Sequence, residues 1–227
     1  EDGQYMLADN KITVTNDKEF DVDGLEAYLR QQPNYYFIFR WNPFINVYNW
    51  QNGKGGLWDK FVKKIGTEPV VYDSEKVEES IENISNRLEY LGYYGSKVES
   101  QLKLKKKRVF VHYDVTLGKR FPIKEVILTI PEGGTFPEDY LADTSATLIR
   151  PGDFLSEDVL EKETVRSTAV MNRKGYYTFN KNYFFFEADT LTVPDSAILQ
   201  LTVNEYTRNE TPKDAEPIRR FHINDVK

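Results

Sequence analysis

Cysteine is absent from this sequence of 227 residues, and histidine occurs only twice, as His112 and His222. The chain therefore offers no thiolate, and a His-centred nucleophilic triad or a His-rich metal site has little to draw on. His112 falls on the polar face of an alternating strand pattern, which predicts a surface position. We therefore expect a protein that is not an enzyme and that uses no metal or cofactor. A chain without cysteine suits either a reducing compartment or a bacterial envelope.

Long apolar runs and an excess of positive charge are also missing. No segment approaches the roughly 18 apolar residues of a membrane-spanning helix, and 36 acidic against 30 basic residues give a net charge of −6. This balance argues against nucleic acid as the main partner, since phosphate binding usually needs a basic face. One basic run, Lys103–Arg108, has two interpretations: a hairpin turn whose charges discourage aggregation, or contact with anionic lipid headgroups or nucleic acid.

The sequence does contain an internal repeat. Residues 73–94 carry apolar side chains on one helical face, end in Gly92-Tyr93-Tyr94, and are followed by two alternating strand patterns. The same order returns with a helix predicted over Glu157–Lys174, Ser156 as its N-cap, and Gly175-Tyr176-Tyr177, 83 positions after the first Gly-Tyr-Tyr. Two further strands come next, so the repeat covers a helix and a hairpin.

The two repeats also begin alike. In the first, Ile12 and Val14 predict a short strand, and Val22–Gln31 predicts a first helix. In the second, a strand over Pro122–Ile130 and a short helix within Phe136–Ile149 correspond to them. Each unit thus runs strand, helix, helix, strand, strand. This order predicts an α+β fold, with two helices covering one face of a three-stranded mixed sheet.

A third start appears at Pro217–Ile223, which parallels Pro122–Leu128 at an offset of 95. The sequence ends soon after it, so we expect a mature fragment of a longer protein. The predicted organisation is a first domain at 1–119, a second at 120–206, a linker at 207–216, and the first strand of a truncated third domain at 217–227.

An aromatic insertion, about 34–70, separates the two helices of the first unit. Its side chains either close over the core of that unit or form an exposed patch for a partner or a membrane surface, where Trp and Tyr are favoured. The second interpretation makes these residues candidates for binding: Tyr35, Phe37, Trp41, Phe44, Tyr48 and Trp50.

The repeated unit with its Gly-Tyr-Tyr turn resembles the POTRA domain, a periplasmic module of outer-membrane β-barrel assembly factors of the BamA/TamA type. Its particular combination of motifs is similar to the TamA-like lipoproteins (TamL) of Bacteroidota. The resemblance implies a periplasmic segment attached to the outer membrane, with a lipidated cysteine upstream of Glu1 and a barrel after further POTRA domains. The motifs that carry it are Gly3–Leu7, Arg30–Asn34, Pro69–Asp73, Gly92–Tyr94 and Gly175–Tyr177.

The resemblance further implies that the units bind polypeptides, either nascent outer-membrane proteins or an accessory assembly protein. In β-augmentation an extended chain adds to an open sheet edge through main-chain hydrogen bonds, which tolerate many sequences. The candidate edges are the strands around Val98–Leu104 and Tyr183–Glu187. Their candidate binding residues are Val98, Ser100, Leu102, Lys103, Leu104, Tyr183, Phe185 and Glu187.

Two other hypotheses stay open. In the first, the chain docks an accessory envelope protein of the TamB type through the aromatic insertion and binds no client directly. In the second, from the enzyme class, paired carboxylates act in an unrecognised hydrolase. The hydrolase hypothesis predicts a deep acidic pocket at the strand ends of one unit.

Overall fold

The computed structural model describes residues 5–33, 70–205 and 218–221. The chain divides into two compact units, Glu1–Leu88 with Gly95–Gly118 and Glu89–Tyr94 with Lys119–Lys227. Residues 34–69 of the aromatic insertion lie outside the described residues, as do its six candidate binding residues, the predicted linker at 207–216 and His222.

A mixed three-stranded sheet forms the first unit. Among the described residues its elements are β1 (Met6–Val14), α1 (Asp23–Glu26), α2 (Ser74–Tyr90, whose last two residues count with the second unit), β2 (Lys97–Lys105) and β3 (Arg108–Thr116). β3 lies in the middle, parallel to β1 and antiparallel to β2. Alternate residues of β3 are buried, which places one face of the strand in the core: Val109, Val111, Tyr113 and Val115.

The second unit repeats this topology. Its elements are β4 (Ile123–Thr129), α3 (Phe136–Leu141), α4 (Glu157–Arg173), β5 (Phe184–Asp189) and β6 (Ala197–Val203), with 3-10 turns at Thr144–Ala146 and Lys181–Tyr183. β6 is central, parallel to β4 and antiparallel to β5. The prediction of an α+β fold with three-stranded mixed sheets is confirmed. Aromatic rings fill much of the core: Phe136, Tyr140, Tyr176, Phe179 and Phe184.

Local sequence signals explain where the long helices begin. The Asp73 carboxylate accepts a hydrogen bond from the Glu75 N–H (3.0 Å) at the start of α2. The Ser156 hydroxyl accepts one from the Val159 N–H (3.4 Å) at the start of α4. Such side-chain caps satisfy backbone donors that the helix itself leaves unpaired.

Two elements differ from their predicted lengths. β1 begins at Met6 rather than near Ile12, because it pairs with β3 along its whole length. α1 is a single turn, whereas the pattern predicts a helix over Val22–Gln31. Gln31 is buried instead: its side-chain amide donates to the Val71 carbonyl and accepts from the Asp73 N–H. This tertiary contact overrides the local helix signal.

The first Gly-Tyr-Tyr turn holds the segment that leads into β4. Tyr94 and Lys119 exchange two backbone hydrogen bonds, both 2.9 Å long. The rings of Tyr94 and Phe121 lie 5.8 Å apart, in tilted contact. All of these residues belong to the second unit.

The second Gly-Tyr-Tyr turn holds residues 218–221 in the same way. The Phe221 N–H donates to the Gly175 carbonyl (2.9 Å), and the rings of Tyr177 and Phe221 lie 6.5 Å apart. Ile218 packs against the core of the second unit. Residues 218–221 are therefore anchored on the second Gly-Tyr-Tyr turn.

The contacts of Phe221 also bear on the register of the third start. Phe221 contacts the second Gly-Tyr-Tyr turn as Phe121 contacts the first, and this offset of 100 aligns Lys119–Ile123 with Arg219–Ile223. The predicted offset of 95 instead aligns Ile218 with Ile123. Most of the predicted strand at 217–227 lies outside the described residues, so this offset and the four domain ranges stay predictions.

A polar cluster ties this anchor to α3. The Tyr176 hydroxyl donates to the Asp139 carboxylate (2.7 Å), and Lys174 and Arg220 each place a side-chain nitrogen 3.5 Å from it. The hydrogen bond from Tyr176, with the charges of Lys174 and Arg220, lowers the pKa of Asp139. A carboxyl whose pKa is lowered on folding stabilises the fold above its unfolded pKa and loses that effect on acidification.

Tyr176→Phe should therefore destabilise the chain more at neutral pH than in acid. We expect a loss of about 1.5–3 kcal/mol in the free energy of unfolding at pH 7, the usual range for a hydrogen bond to a charged group. The loss should shrink below about pH 4, where Asp139 is protonated in the unfolded chain. Urea unfolding at pH 7 and pH 3 measures both. The control Tyr177→Phe alters a side chain that is 61% exposed and should change little; an equal loss for Tyr176→Phe at both pH values contradicts this role.

Candidate peptide-binding edges

Each sheet ends in the strand that the sequence proposes as a binding edge. β2 pairs with β3 on one side and β5 pairs with β6 on one side; among the described residues no strand pairs with the other side of either. All five candidate residues from Val98 to Leu104 lie in β2, and Phe185 and Glu187 lie in β5. Tyr183 does not: it ends the 3-10 turn that Asn180 caps by accepting from the Asn182 N–H (2.9 Å), so the strand begins one residue later.

The outer part of β2 presents two apolar side chains to solvent. Leu102 is 49% exposed and Leu104 is 61% exposed. They pair with Val111 and Val109, so they lie on the face of the sheet that carries the core. Val98 and Ser100 lie further along this face and are half-buried. An extended chain that pairs with β2 would cover the two leucines.

The basic run joins β2 to β3. β2 ends at Lys105, β3 begins at Arg108, and Lys106 adopts a positive φ of 58° in the two-residue turn between them. The predicted hairpin turn is therefore present, since tight two-residue connections of paired strands use such a backbone, and the role of its charges against aggregation stays a prediction. Its contact with anionic lipid stays a prediction.

β5 differs from β2 because a groove runs beside it. The groove lies between β5 and α4 and has a volume of about 590 Å³. Phe184 and Phe186 contribute to it from the strand, with their rings stacked 6.4 Å apart, and Leu160 and Thr164 contribute from the helix. Alternate side chains of a strand share one face, so a chain added to β5 would place every second side chain over this groove.

Charged residues border the groove. Glu157 and Glu161 lie on the α4 side, and Lys181 lies just before the start of β5. The two carboxylates against one ammonium group make the border acidic. An extended peptide with apolar residues facing the groove and basic residues near its border therefore fits this edge by shape and charge.

A buried ionic cluster in the second unit is not apparent from the sequence. Glu163 is 3% exposed, and its carboxylate accepts two hydrogen bonds from Arg166 (2.8 and 2.9 Å) and one from the Leu148 N–H (2.8 Å). Arg166 also donates to Asp143 (2.7 Å). The only sequence signal is the spacing of Glu163 and Arg166, three residues apart on one helix. Both carboxylates bind the guanidinium group, in the manner of a structural ion pair.

The described residues hold neither a metal site nor a membrane-spanning helix. Across residues 5–33, 70–205 and 218–221, no three His, Asp or Glu side chains are grouped so as to hold a metal ion. Within those same ranges, none of the helices combines the length and apolar character needed to cross a bilayer.

The fold and the edges define a tandem of small α+β units, each with an open strand suited to pairing with an extended chain. Comparison with protein families agrees with this class for the first unit. Residues 10–118 match the family model described as "POTRA: Surface antigen variable number repeat". No curated protein matches the sequence.

Solved structures similar to this chain include three of BamA and Omp85 proteins. The POTRA3-5 structure of BamA from Haemophilus influenzae has 14% identity and a TM-score of 0.44, and the match covers 89% of this chain and 67% of that one. BamA from Haemophilus ducreyi lacking POTRA domains 1-3 has 14% identity and a TM-score of 0.42, and the match covers 89% of this chain and 30% of that one. POTRA1-2 of the periplasmic domain of Omp85 from Anabaena has 14% identity and a TM-score of 0.33, and the match covers 90% of this chain and 97% of that one.

Proposed function

We propose that this chain is the periplasmic POTRA segment of a factor that assembles or translocates outer-membrane β-barrel proteins. It binds client or partner polypeptides by β-augmentation and catalyses no reaction. In the longer protein, a lipid anchor precedes the segment and further POTRA domains and a barrel follow, as in the TamA-like lipoproteins of Bacteroidota.

The open edge of β5 beside the groove is the observation that carries this proposal. Residues 186–189 of the strand supply main-chain donors and acceptors, which bind any extended sequence, and the groove adds a preference for apolar side chains at alternate positions. A binding module that serves many β-barrel clients needs this combination, because barrel strands alternate apolar and polar residues. The open edge of β2, with exposed Leu102 and Leu104, is a second place for the same interaction.

The family match of residues 10–118 supports the proposal for the first unit. The repeated topology extends the support to the second unit, because β4, α3, α4, β5 and β6 follow the same order and pairing as the elements of the first. Docking of a TamB-like accessory protein through the aromatic insertion stays a prediction, since that segment lies outside the described residues.

Site-specific crosslinking in the native host tests the proposal. A photoreactive amino acid at Phe185 or at Lys103 in the full-length protein should form adducts with outer-membrane β-barrel polypeptides, identified by mass spectrometry. The matched control places the same group at Val165, an apolar residue on α4 that is 57% exposed.

Adducts at the edge positions, with none at Val165, are the expected result. If barrel assembly proceeds while neither edge position forms an adduct with a barrel polypeptide, the proposed function is wrong. Equal labelling at Val165 also contradicts it, because that pattern reports non-specific encounter rather than strand pairing.

A further inference from the structure

A second cavity lies at the opposite edge of the second sheet from β5. It is bordered by β4, the Thr144–Ala146 turn and α4, and has a volume of about 340 Å³. Its floor is apolar, and a cavity of about 150 Å³ is already enough to hold a benzene ring. The space therefore suits one large apolar side chain. The apolar lining consists of Val126, Leu128, Tyr140, Ile149 and Leu201.

The strand beside this cavity is also an edge. β4 pairs with β6 on one side only. On its outer side the chain itself forms two hydrogen bonds at the first residue of the strand: the Gly152 N–H donates to the Ile123 carbonyl (2.7 Å), and the Ile123 N–H donates to the Asp153 carbonyl (2.8 Å). Beyond Ile123, no further strand of the described chain pairs with this side. The outer side of β4 thus already accepts an extended segment at one end.

The ionic cluster decides the charge of a suitable occupant. Asp143, Glu163 and Arg166 line one wall of the cavity, so two carboxylates outweigh one guanidinium group. Glu125 and Lys124 at the β4 side cancel each other. The net charge of the lining is therefore −1. An anionic ligand such as a fatty acid is disfavoured, because the charge of Arg166 is already neutralised by its two partners.

We propose that β4 is a second peptide-binding edge, which takes an extended polypeptide segment with a large apolar side chain in the cavity and a Lys or Arg beside it. Val126 and Leu128 lie on one face of β4, two residues apart, and both line the cavity. A strand paired with β4 would place alternate side chains over the same face. The apolar one enters the cavity, and the next one on that face lies near the acidic wall.

This proposal rests on the proposed function, because it assigns a further edge to a chain that binds extended polypeptides. The second unit would then accept a strand at each side of its sheet, at β5 and at β4. Two such edges on one sheet let a single unit hold two segments of one unfolded client, which raises the effective concentration of the second segment once the first has bound.

Hydrogen exchange of the 227-residue chain tests the proposal strand by strand. The probe is a synthetic decapeptide of alternating Thr and apolar residues, with one Trp and one Lys at neighbouring positions on its apolar face. We expect slower exchange of the amides of residues 124–129 as well as those of residues 186–189. The protected fraction at each peptide concentration gives a separate affinity for each strand.

Two matched variants isolate the cavity. Thr144→Trp fills the cavity from the 3-10 turn. The peptide concentration that half-protects β4 should then rise at least about tenfold, whereas the concentration that half-protects β5 should not change. Ser145→Trp adds the same side chain at the neighbouring, exposed position outside the cavity. It should leave the amide protection of both β4 and β5 as in the natural chain.

The charge preference has its own test. Replacing the Lys of the peptide by Gln should weaken binding at β4 about three- to tenfold in the natural chain, and this difference should vanish in Asp143→Asn. Such a double-substitution cycle isolates the interaction between the two groups.

Each outcome decides a separate claim. Protection of β5 alone overturns the β4 site and leaves the proposed function intact. Protection of β4 that survives Thr144→Trp also overturns it, because the peptide then binds without the cavity. If neither β4 nor β5 is protected, the β4 site fails, and if β2 is not protected either, the proposed function fails with it.

Discussion

Gly175→Ala should cost the second unit at least about 2 kcal/mol of unfolding free energy, measured by urea denaturation, because two effects add. Gly175 has a φ of +101°, which L-residues rarely adopt and which costs about 1–3 kcal/mol. A Cβ there would also lie 2.8 Å from the Phe221 carbonyl oxygen and 3.2 Å from the Arg220 side chain. The backbone of residues 220–221 would have to move, and its hydrogen bond to Gly175 would be lost.

Gly152→Ala separates the two effects. Gly152 has a similar φ of +96°, but a Cβ there meets nothing within 4 Å. This control should therefore show only the backbone cost, and the difference between the two variants measures the anchoring of residues 218–221 on the Gly-Tyr-Tyr turn. Equal losses in both variants would mean that Phe221 is not held there, and the offset of 100 for the third start would lose its support.

Glu163→Ala should destabilise the second unit by at least about 2 kcal/mol, because a buried backbone donor loses its acceptor and a partly buried guanidinium group loses one of its two carboxylates. The substitution leaves the Arg166 guanidinium with only Asp143 and leaves the Leu148 N–H without its acceptor. Unfolding in urea, followed by near- and far-UV circular dichroism, gives the loss.

A triple substitution separates the cost of the charge left on Arg166 from the other losses. Replacing all three members, Asp143→Asn with Glu163→Met and Arg166→Met, should recover part of the stability, because neutral residues of similar volume often replace buried ions without loss, while the Leu148 N–H still lacks its acceptor. If the triple variant is as unstable as Glu163→Ala, the excess charge of Arg166 is not the cause of the loss.

The repeated fold is predictable because its signals are local. Period-2 and period-3.6 patterns identify the strands and both long helices, and Ser156 and Asp73 act at the helix starts where such residues are expected. The edge positions of β2 and β5 also follow from the order of elements, once the units resemble a known module. The predicted start of β5 at Tyr183 is one residue early, within the usual error for the end of an element.

Features set by distant contacts are not predictable in this way. The single turn of α1 depends on Gln31 bonding to residues 71 and 73, some 40 positions away. The offset of 95 for the third start follows from the identity of Pro217 and Ile218 with Pro122 and Ile123, whereas the ring contact of Phe221, which favours an offset of 100, is visible only in three dimensions. The β4 cavity likewise combines residues that lie far apart along the chain, from Lys124 to Leu201.

Pairing between an open sheet edge and an extended polypeptide is the interaction on which the proposed function depends. Isotope-filtered NMR of the labelled 227-residue chain with a peptide taken from an outer-membrane barrel strand detects it at the level of single residues. We expect a ladder of backbone contacts between the peptide and the outer side of β5 at residues 186–189, with the apolar side chains of the peptide near Phe186 and Leu160. Peptide contacts that involve only side chains, with no backbone ladder on β5, β2 or β4, would contradict the proposed function.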